Sequence, residues 1–166
     1  MVKLGRVGKH LLAGRGTVNR AFTPLVLANV EAAIRASEQT HDGQIRFVVE
    51  RALDGAPLMN DLSARERAID VFSQLRVWDT EHNNGVLIYL LFADHSVEIV
   101  ADRGIDARVG AQQWRRICAA MEADFRDGEF ERGVLGGIAE VTRHLARYFP
   151  RTDGGRNELP DAPVVL

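Results

Sequence analysis

The sequence predicts an α/β domain, a sheet covered by helices on both faces, and three observations lead there. Periodicity changes type along the chain, helical at Leu27, Val30 and Ile34, strand-like over Gln44–Arg51, and helical again after Ser63. The longest apolar run, Val86–Ala93, has strand length, and Asp94-His95-Ser96 links it to a β-branched run, Val97–Asp102. Two strands with so short a polar link read as an antiparallel hairpin over residues 85–102, central to the fold. Two amphipathic helices then close the chain, and a sheet with helices on both faces is the economical way to bury all these apolar faces.

Each element has its own signal. Thr23-Pro24 is a helix start, a hydroxyl at N-cap followed by a proline whose missing N–H costs nothing at the first helical position. That helix is expected to run to about Glu38 or Gln39, where His41-Asp42-Gly43 supplies turn chemistry. In Gln44–Arg51, Ile45, Phe47 and Val49 fall on one face and Val48 on the other, so this strand is expected to be covered on both sides. Asp54-Gly55-Ala56-Pro57 breaks the pattern. Ser63 and Glu66 have the spacing of a capping box, and the helix they open is expected to place Ala68, Ile69, Phe72 and Leu75 on its core stripe. Asn84-Gly85 turns into the hairpin. Trp114, Ile117, Cys118, Met121 and Phe125 step at helical spacing, as do Leu135, Ile138, Val141, Leu145 and Tyr148, with Asp127-Gly128 between the two sets.

The expected organisation is a basic arm over 1–22, a domain over 23–150, and an extended, mobile tail over 151–166 carrying Pro160 and Pro163. A chain of 166 residues, 46% hydrophobic and 27% charged, can bury one sizeable core. Its formal charge of -2 gives no reason to expect a nucleic-acid partner. The charge is unevenly spread: residues 1–20 hold Lys3, Arg6, Lys9, Arg15 and Arg20 and no acid, while the remainder has 16 basic against 23 acidic residues. Such an arm suits an anionic lipid surface, a membrane-associated protein, or the domain's own acidic surface. The single Cys118 excludes an internal disulfide and reads as a small core side chain. Leu11-Leu12-Ala13 is too short for an export signal and no run approaches a membrane span, so the expected location is cytoplasmic, at most peripheral to a membrane.

Three segments carry a resemblance. V-W-D-T-E-H-N-N-G-V-L-I-Y-L-L at 77–91, V-E-I-V-A-D-R-G-I at 97–105 and F-R-D-G-E-F-E-R-G at 125–133 together resemble the TPM domain family, over about residues 24–149. The resemblance implies a three-layer α/β/α sandwich with a small mixed sheet. Some members are described as binding calcium or as weak acid phosphatases, and others as accessory proteins of membrane complexes. This chain has Gln44 where members often carry Glu, and Ala107–Ala111 where they often carry an acid after the hairpin. Both differences remove negative charge.

Hairpin geometry gathers a candidate site. With the turn at 94–96, residues near 84 lie opposite residues 103–105, bringing Asp79, Glu81, Asn83, Asn84, Asp102, Arg103 and Asp106 to one edge of the sheet. Calcium or magnesium takes oxygen ligands, for which Asp79, Asp102 and Asp106 are the candidate carboxylates and Asn83 or Asn84 the neutral donors. Arg103 has the planar fork that holds two phosphate oxygens, so the most chemistry this set suggests is weak metal-assisted phosphomonoester hydrolysis. The same residues also suit turns, caps and ordinary ion pairs. A non-catalytic adaptor at a membrane surface and a hydrolase of unspecified mechanism are the alternatives.

Overall fold

The computed structural model describes residues 5, 8–10, 15–54, 57–58 and 60–166. Lys3, Arg6 and the side chain of Arg15 in the basic arm, the Leu11-Leu12-Ala13 patch, and Gly55-Ala56 of the expected turn lie outside them. Helix α1 (Arg15–Ala21) is followed by α2 (Pro24–Ser37), whose N-cap Thr23 accepts the Val26 amide at 3.2 Å. Val30 and Ile34 on its inner face are wholly buried, each contributing about 1.5–3 kcal/mol by removal from water.

Four strands form one mixed sheet in the order β3-β2-β1-β4. β1 (Gln44–Glu50) lies parallel to β2 (Gly85–Leu91), with Gln44 opposite Gly85. β3 (Ser96–Ala101) returns antiparallel to β2, completing the expected hairpin through a short 3-10 turn at Phe92–Asp94. β4 (Val164–Val165) is parallel to β1 on its other side. All seven residues of both β1 and β2 are buried, as expected for strands covered on two faces.

The crossover from β1 to β2 is α3 (Ala64–Gln74), opened by the Ser63–Glu66 capping box. Its stripe differs from the expected one: Ala68 and Val71 are buried, whereas Ile69 is 45% exposed. Positions 68, 71, 72 and 75 share a face at helical spacing, and Ile69 turns 100° away from Ala68, off that face.

After β3 comes a helix that the sequence reading did not separate from the strand. Asp102, expected at a strand end, is the N-cap of α4 (Arg103–Val109). Gly110 ends α4 at φ 85, in the left-handed region that favours glycine, and α5 (Ala111–Arg126) starts at once. α6 (Phe130–Tyr148) follows.

The layers are those of an α/β/α sandwich. On one face, Ile45, Phe47, Val49 and Ile88 pack with apolar residues of α1, α2, α5 and α6. On the other, Val48, Leu87, Tyr89 and Leu91 pack with Ala68 and Val71 of α3. The arm contributes to the first core through Val18 and Phe22, and buried His10 accepts the Leu53 amide at 2.8 Å, so the described part of the arm is docked on the domain.

The C-terminal residues 151–166 run as an extended strap that is pinned to the domain. Leu159 and Val164 pack on the α3-side core, and Leu166 exchanges backbone hydrogen bonds with Val49 and Arg51. Prolines stop a chain from forming a regular ladder, but they leave carbonyls for side chains to hold. Here Arg46 donates to the carbonyls of Pro160 and Ala162.

Candidate functional site: the amino-end corner of the sheet

The turn before β2 meets the start of α4 at one corner of the sheet, where Asn84 and Asp102 lie. Asn83 adopts φ 52, which bends the chain so that its carbonyl accepts the Gly104 amide at 2.9 Å and the Ile105 amide at 3.3 Å. Asp102 donates its amide to the Gly85 carbonyl at 2.9 Å. Gly104 is required by this approach, since a Cβ there would stand 2.5 Å from the Asn83 oxygen and 2.7 Å from that of His82. Asn84 is tied in from three directions: its amide donates to Thr80 Oγ1, its carbonyl accepts the Gln44 amide, and its Nδ2 donates to the Asp42 carbonyl at 3.2 Å.

These bonds leave two oxygens over. Asn84 is fully buried, and its Nδ2 bond to Asp42 fixes the amide so that Oδ1 is the free end; among the described residues that oxygen has no hydrogen-bond partner. Asp102 Oδ1 caps α4 by accepting the Arg103 amide at 2.7 Å, and its buried Oδ2 has no partner among the described residues either. Unpaired buried acceptors are uncommon and costly in folded proteins, so each asks for a partner.

The other candidates lie apart. Asp79 is exposed in the turn after α3, and Arg103 is exposed beside Asp102. Asn83 contributes its carbonyl to α4. Asp106 stands one helical turn beyond Asp102 and accepts the Trp114 indole N–H at 2.9 Å, facing a different cleft lined by Arg65, Glu98 and Cys118. Among the described residues no three His, Cys, Asp or Glu side chains gather closely enough to hold a metal ion. The expected trio of Asp79, Asp102 and Asp106 is therefore not a cluster, because helix geometry and the Trp114 bond carry Asp106 away. The corner also lies at the amino ends of the parallel strands β1 and β2, being a carboxyl end for β3 alone.

A neighbouring cleft of about 320 Å³ was not anticipated; Asp42, Glu81, His82, Thr152 and Glu158 line it. Burial would push the Asp42 carboxyl up, but the Thr152 hydroxyl and amide, with the Arg151 guanidinium, outweigh it and hold the group below its usual range. His41, wholly buried, has Nδ1 3.1 Å from the Gly43 carbonyl and Nε2 without a partner; burial lowers it to about 4, so it is neutral. Glu38 is buried as well, and its carboxyl is pushed up to about 7, by burial first and by Asp161 in addition, against the Ile45 amide it accepts. In the sequence these residues read as a helix end and a turn, because apolar periodicity says nothing of buried polar groups.

Two further groups are structural. Cys118 is half-buried and its thiol is pushed up to about 12, chiefly by burial, in keeping with a packing role. At the opposite end of the sheet, Glu50 takes two bonds from Arg67, at 2.8 and 3.0 Å, and the Tyr89 hydroxyl at 2.6 Å.

Comparison with known proteins agrees with this architecture. The chain is similar to the BA42 protein of the psychrophilic bacterium Bizionia argentinensis, solved by NMR: 30% identity, 87% of this chain and 94% of that one covered, TM-score 0.76. The solution structure of the N-terminal domain of a P. gingivalis protein shares the fold at 19% identity, covering 71% and 72% of the two chains, with a TM-score of 0.57. No curated protein matches. No described helix is long and apolar enough to cross a membrane. The sequence model of the TPM domain matches residues 19–144, which include β1, β2, β3 and the whole amino-end corner, and the chain belongs to the TPM domain family.

Proposed function

We propose that this TPM domain binds a divalent cation at the amino-end corner, through Asn84 Oδ1 and Asp102 Oδ2. The observation that carries the reading is that Asn84 Oδ1, in the turn before β2, and Asp102 Oδ2, at the start of α4, are each buried and without a hydrogen-bond partner among the described residues. A carboxylate oxygen and an amide oxygen form a hard donor set, which calcium and magnesium accept and softer metals do not favour. One carboxylate with the balance of ligands supplied by water suits magnesium, which dehydrates reluctantly, better than calcium, which takes more oxygens. A cation held by Asn84 and Asp102 would supply Lewis-acid chemistry toward a phosphoryl oxygen, and the exposed Arg103 next to Asp102 would supply the fork that suits two phosphate oxygens; any phosphomonoesterase activity would rest on those residues.

The test is ligand-linked stability. A cation at about 100 times its Kd stabilises the folded state by about 2.7 kcal/mol, which raises the melting temperature of a domain this size by about 5–10 °C. Asp102→Asn keeps Oδ1 as the α4 cap while removing the charge, so it is expected to fold and to lose most of the magnesium-dependent rise. No rise in the wild type, or an equal rise in the variant, would overturn the reading.

A further inference from the structure

We propose that the C-terminal strap, Arg151–Leu166, is a proton-operated latch: a proton shared between Glu38 and Asp161 holds it on the sheet, and losing that proton releases it from β1.

The strap is fastened along the whole length of β1. Gln44 Oε1 accepts the amides of Glu158 and Leu159 at 2.8 and 2.9 Å. Arg46 donates to the carbonyls of Pro160 and Ala162, and β4 pairs with Val48 and Val49. Between these fastenings Asp161, 9% exposed, enters the protein and meets Glu38, which is 4% exposed. The hydrogen bonds around them bring the two carboxyl groups to one place: Asp161 accepts from Arg35, one turn before Glu38 on α2, while Glu38 accepts the amide of Ile45, whose neighbour Arg46 holds the carbonyls on either side of Asp161. Two carboxylates buried side by side repel each other and only accept, so one of them keeps a proton.

The surrounding charges decide where that proton resides. Asp161 Oδ2 accepts Arg35 Nε at 3.3 Å and its Oδ1 accepts Asn157 Nδ2 at 2.8 Å, so both of its oxygens already hold donors and the proton is left to Glu38. Glu38 accepts the Ile45 amide at 3.1 Å, and Arg151 reaches its backbone carbonyl at 3.2 Å while facing Asp42 on its other side. Arg35 is shared with Glu31 on its own helix. Arg46 is a further cation, buried, influenced by both carboxyls, and with an Nε that has no partner among the described residues.

Ionising Glu38 has two effects, both directed at the strap. It sets two carboxylates against each other in a site closed to water, where like charges repel most strongly. It also competes for Arg46, whose guanidinium holds the Pro160 and Ala162 carbonyls. Glu38 titrates at about 7, so both effects arise within the neutral range. Release bares the Val48–Val49 edge of β1 and opens the Asp42–Glu158 cleft, of which the strap is one wall.

Amide hydrogen exchange tests the latch, with protection corrected for the intrinsic pH dependence. The probes are the amides of Arg51, Leu166, Glu158 and Leu159, bonded to the Leu166 carbonyl, the Val49 carbonyl and Gln44 Oε1 respectively, the last accepting two. In the wild type their protection is expected to fall by up to about tenfold per pH unit above neutrality, while β1–β2 ladder amides stay protected. Glu38→Gln keeps an acceptor for Ile45 and a permanent donor for Asp161, so its profile is expected to be flat and high. Asp161→Asn, which supplies a donor to an ionised Glu38, is expected to be flat as well and serves if the first variant does not fold. A flat wild-type profile, or the same decline in a folded variant, would overturn the proposal.

Discussion

Replacing Glu38 by Gln gives a pH dependence whose sign and size follow from two buried groups three residues apart. Glu38 keeps its proton in the folded state up to about 7, while the unfolded chain releases it near 4.5. Its contribution to stability is therefore fullest below 4.5 and is lost as the pH rises through 7, a change of about 3 kcal/mol. His41 works the other way. The unfolded chain protonates it below 6.5 and the folded one only below about 4, so its contribution is full above 6.5 and lost as the pH falls. Between 4.5 and 6.5 the two slopes cancel, and the wild type is expected to be nearly flat there on their account. Glu38→Gln uncovers the histidine slope, a rise of about 1.4 kcal/mol per pH unit. Urea unfolding of both proteins from pH 4.5 to 8 is the assay, and their stability difference is expected to change by about 3 kcal/mol over that range. If strap release is cheaper than that, the change stops at its cost. Parallel stability profiles would refute the reasoning.

Other substitutions test the packing that holds the corner and the sheet. Arg67→Ala leaves the buried Glu50 carboxylate without its bidentate partner and is expected to cost about 3–5 kcal/mol, against about 1–2 for Tyr89→Phe, both read by urea unfolding. Gly85→Ala drives a Cβ into the Val77 carbonyl, a backbone atom that cannot step aside, for a loss on the order of 3 kcal/mol. Gly136→Ala, on the exposed side of α6 with nothing near the added methyl, is expected to raise stability by about 1 kcal/mol in thermal melts. Ser63→Ala removes the capping box and is expected to cost about 1 kcal/mol, with Ser63→Asp restoring most of it.

The elements with strong local chemistry were legible in the sequence. Thr23-Pro24 and Ser63–Glu66 mark the starts of α2 and α3, and the apolar run from Val86 marks β2. The neighbourhood of the corner was partly legible: strand pairing puts Asp102 opposite Gly85, next to Asn84, so the two ends of the hairpin come to the same edge of the sheet. The rest depended on information that periodicity lacks. Seven-residue α4 is too short to show a stripe, so Asp102 read as a strand end and Asp106 as its neighbour in the site. The strap read as mobile because its prolines exclude a regular ladder, whereas Gln44 and Arg46, both inside a strand, hold it by side chains. Glu38, His41 and Arg46 are buried polar residues whose partners are distant in sequence, and only the folded arrangement brings them together.

The cation claim is tested most directly by magnesium titration followed in ¹⁵N-resolved NMR spectra. The signals to watch are the Asn84 side-chain amide and the backbone amides of Gly85, Asp102, Arg103 and Gly104. Saturable shifts concentrated on that group, and lost in Asp102→Asn, are the predicted result. Absence of saturable shifts, or shifts centred on the Asp42–Glu158 cleft instead, would contradict a cation site at Asn84 and Asp102.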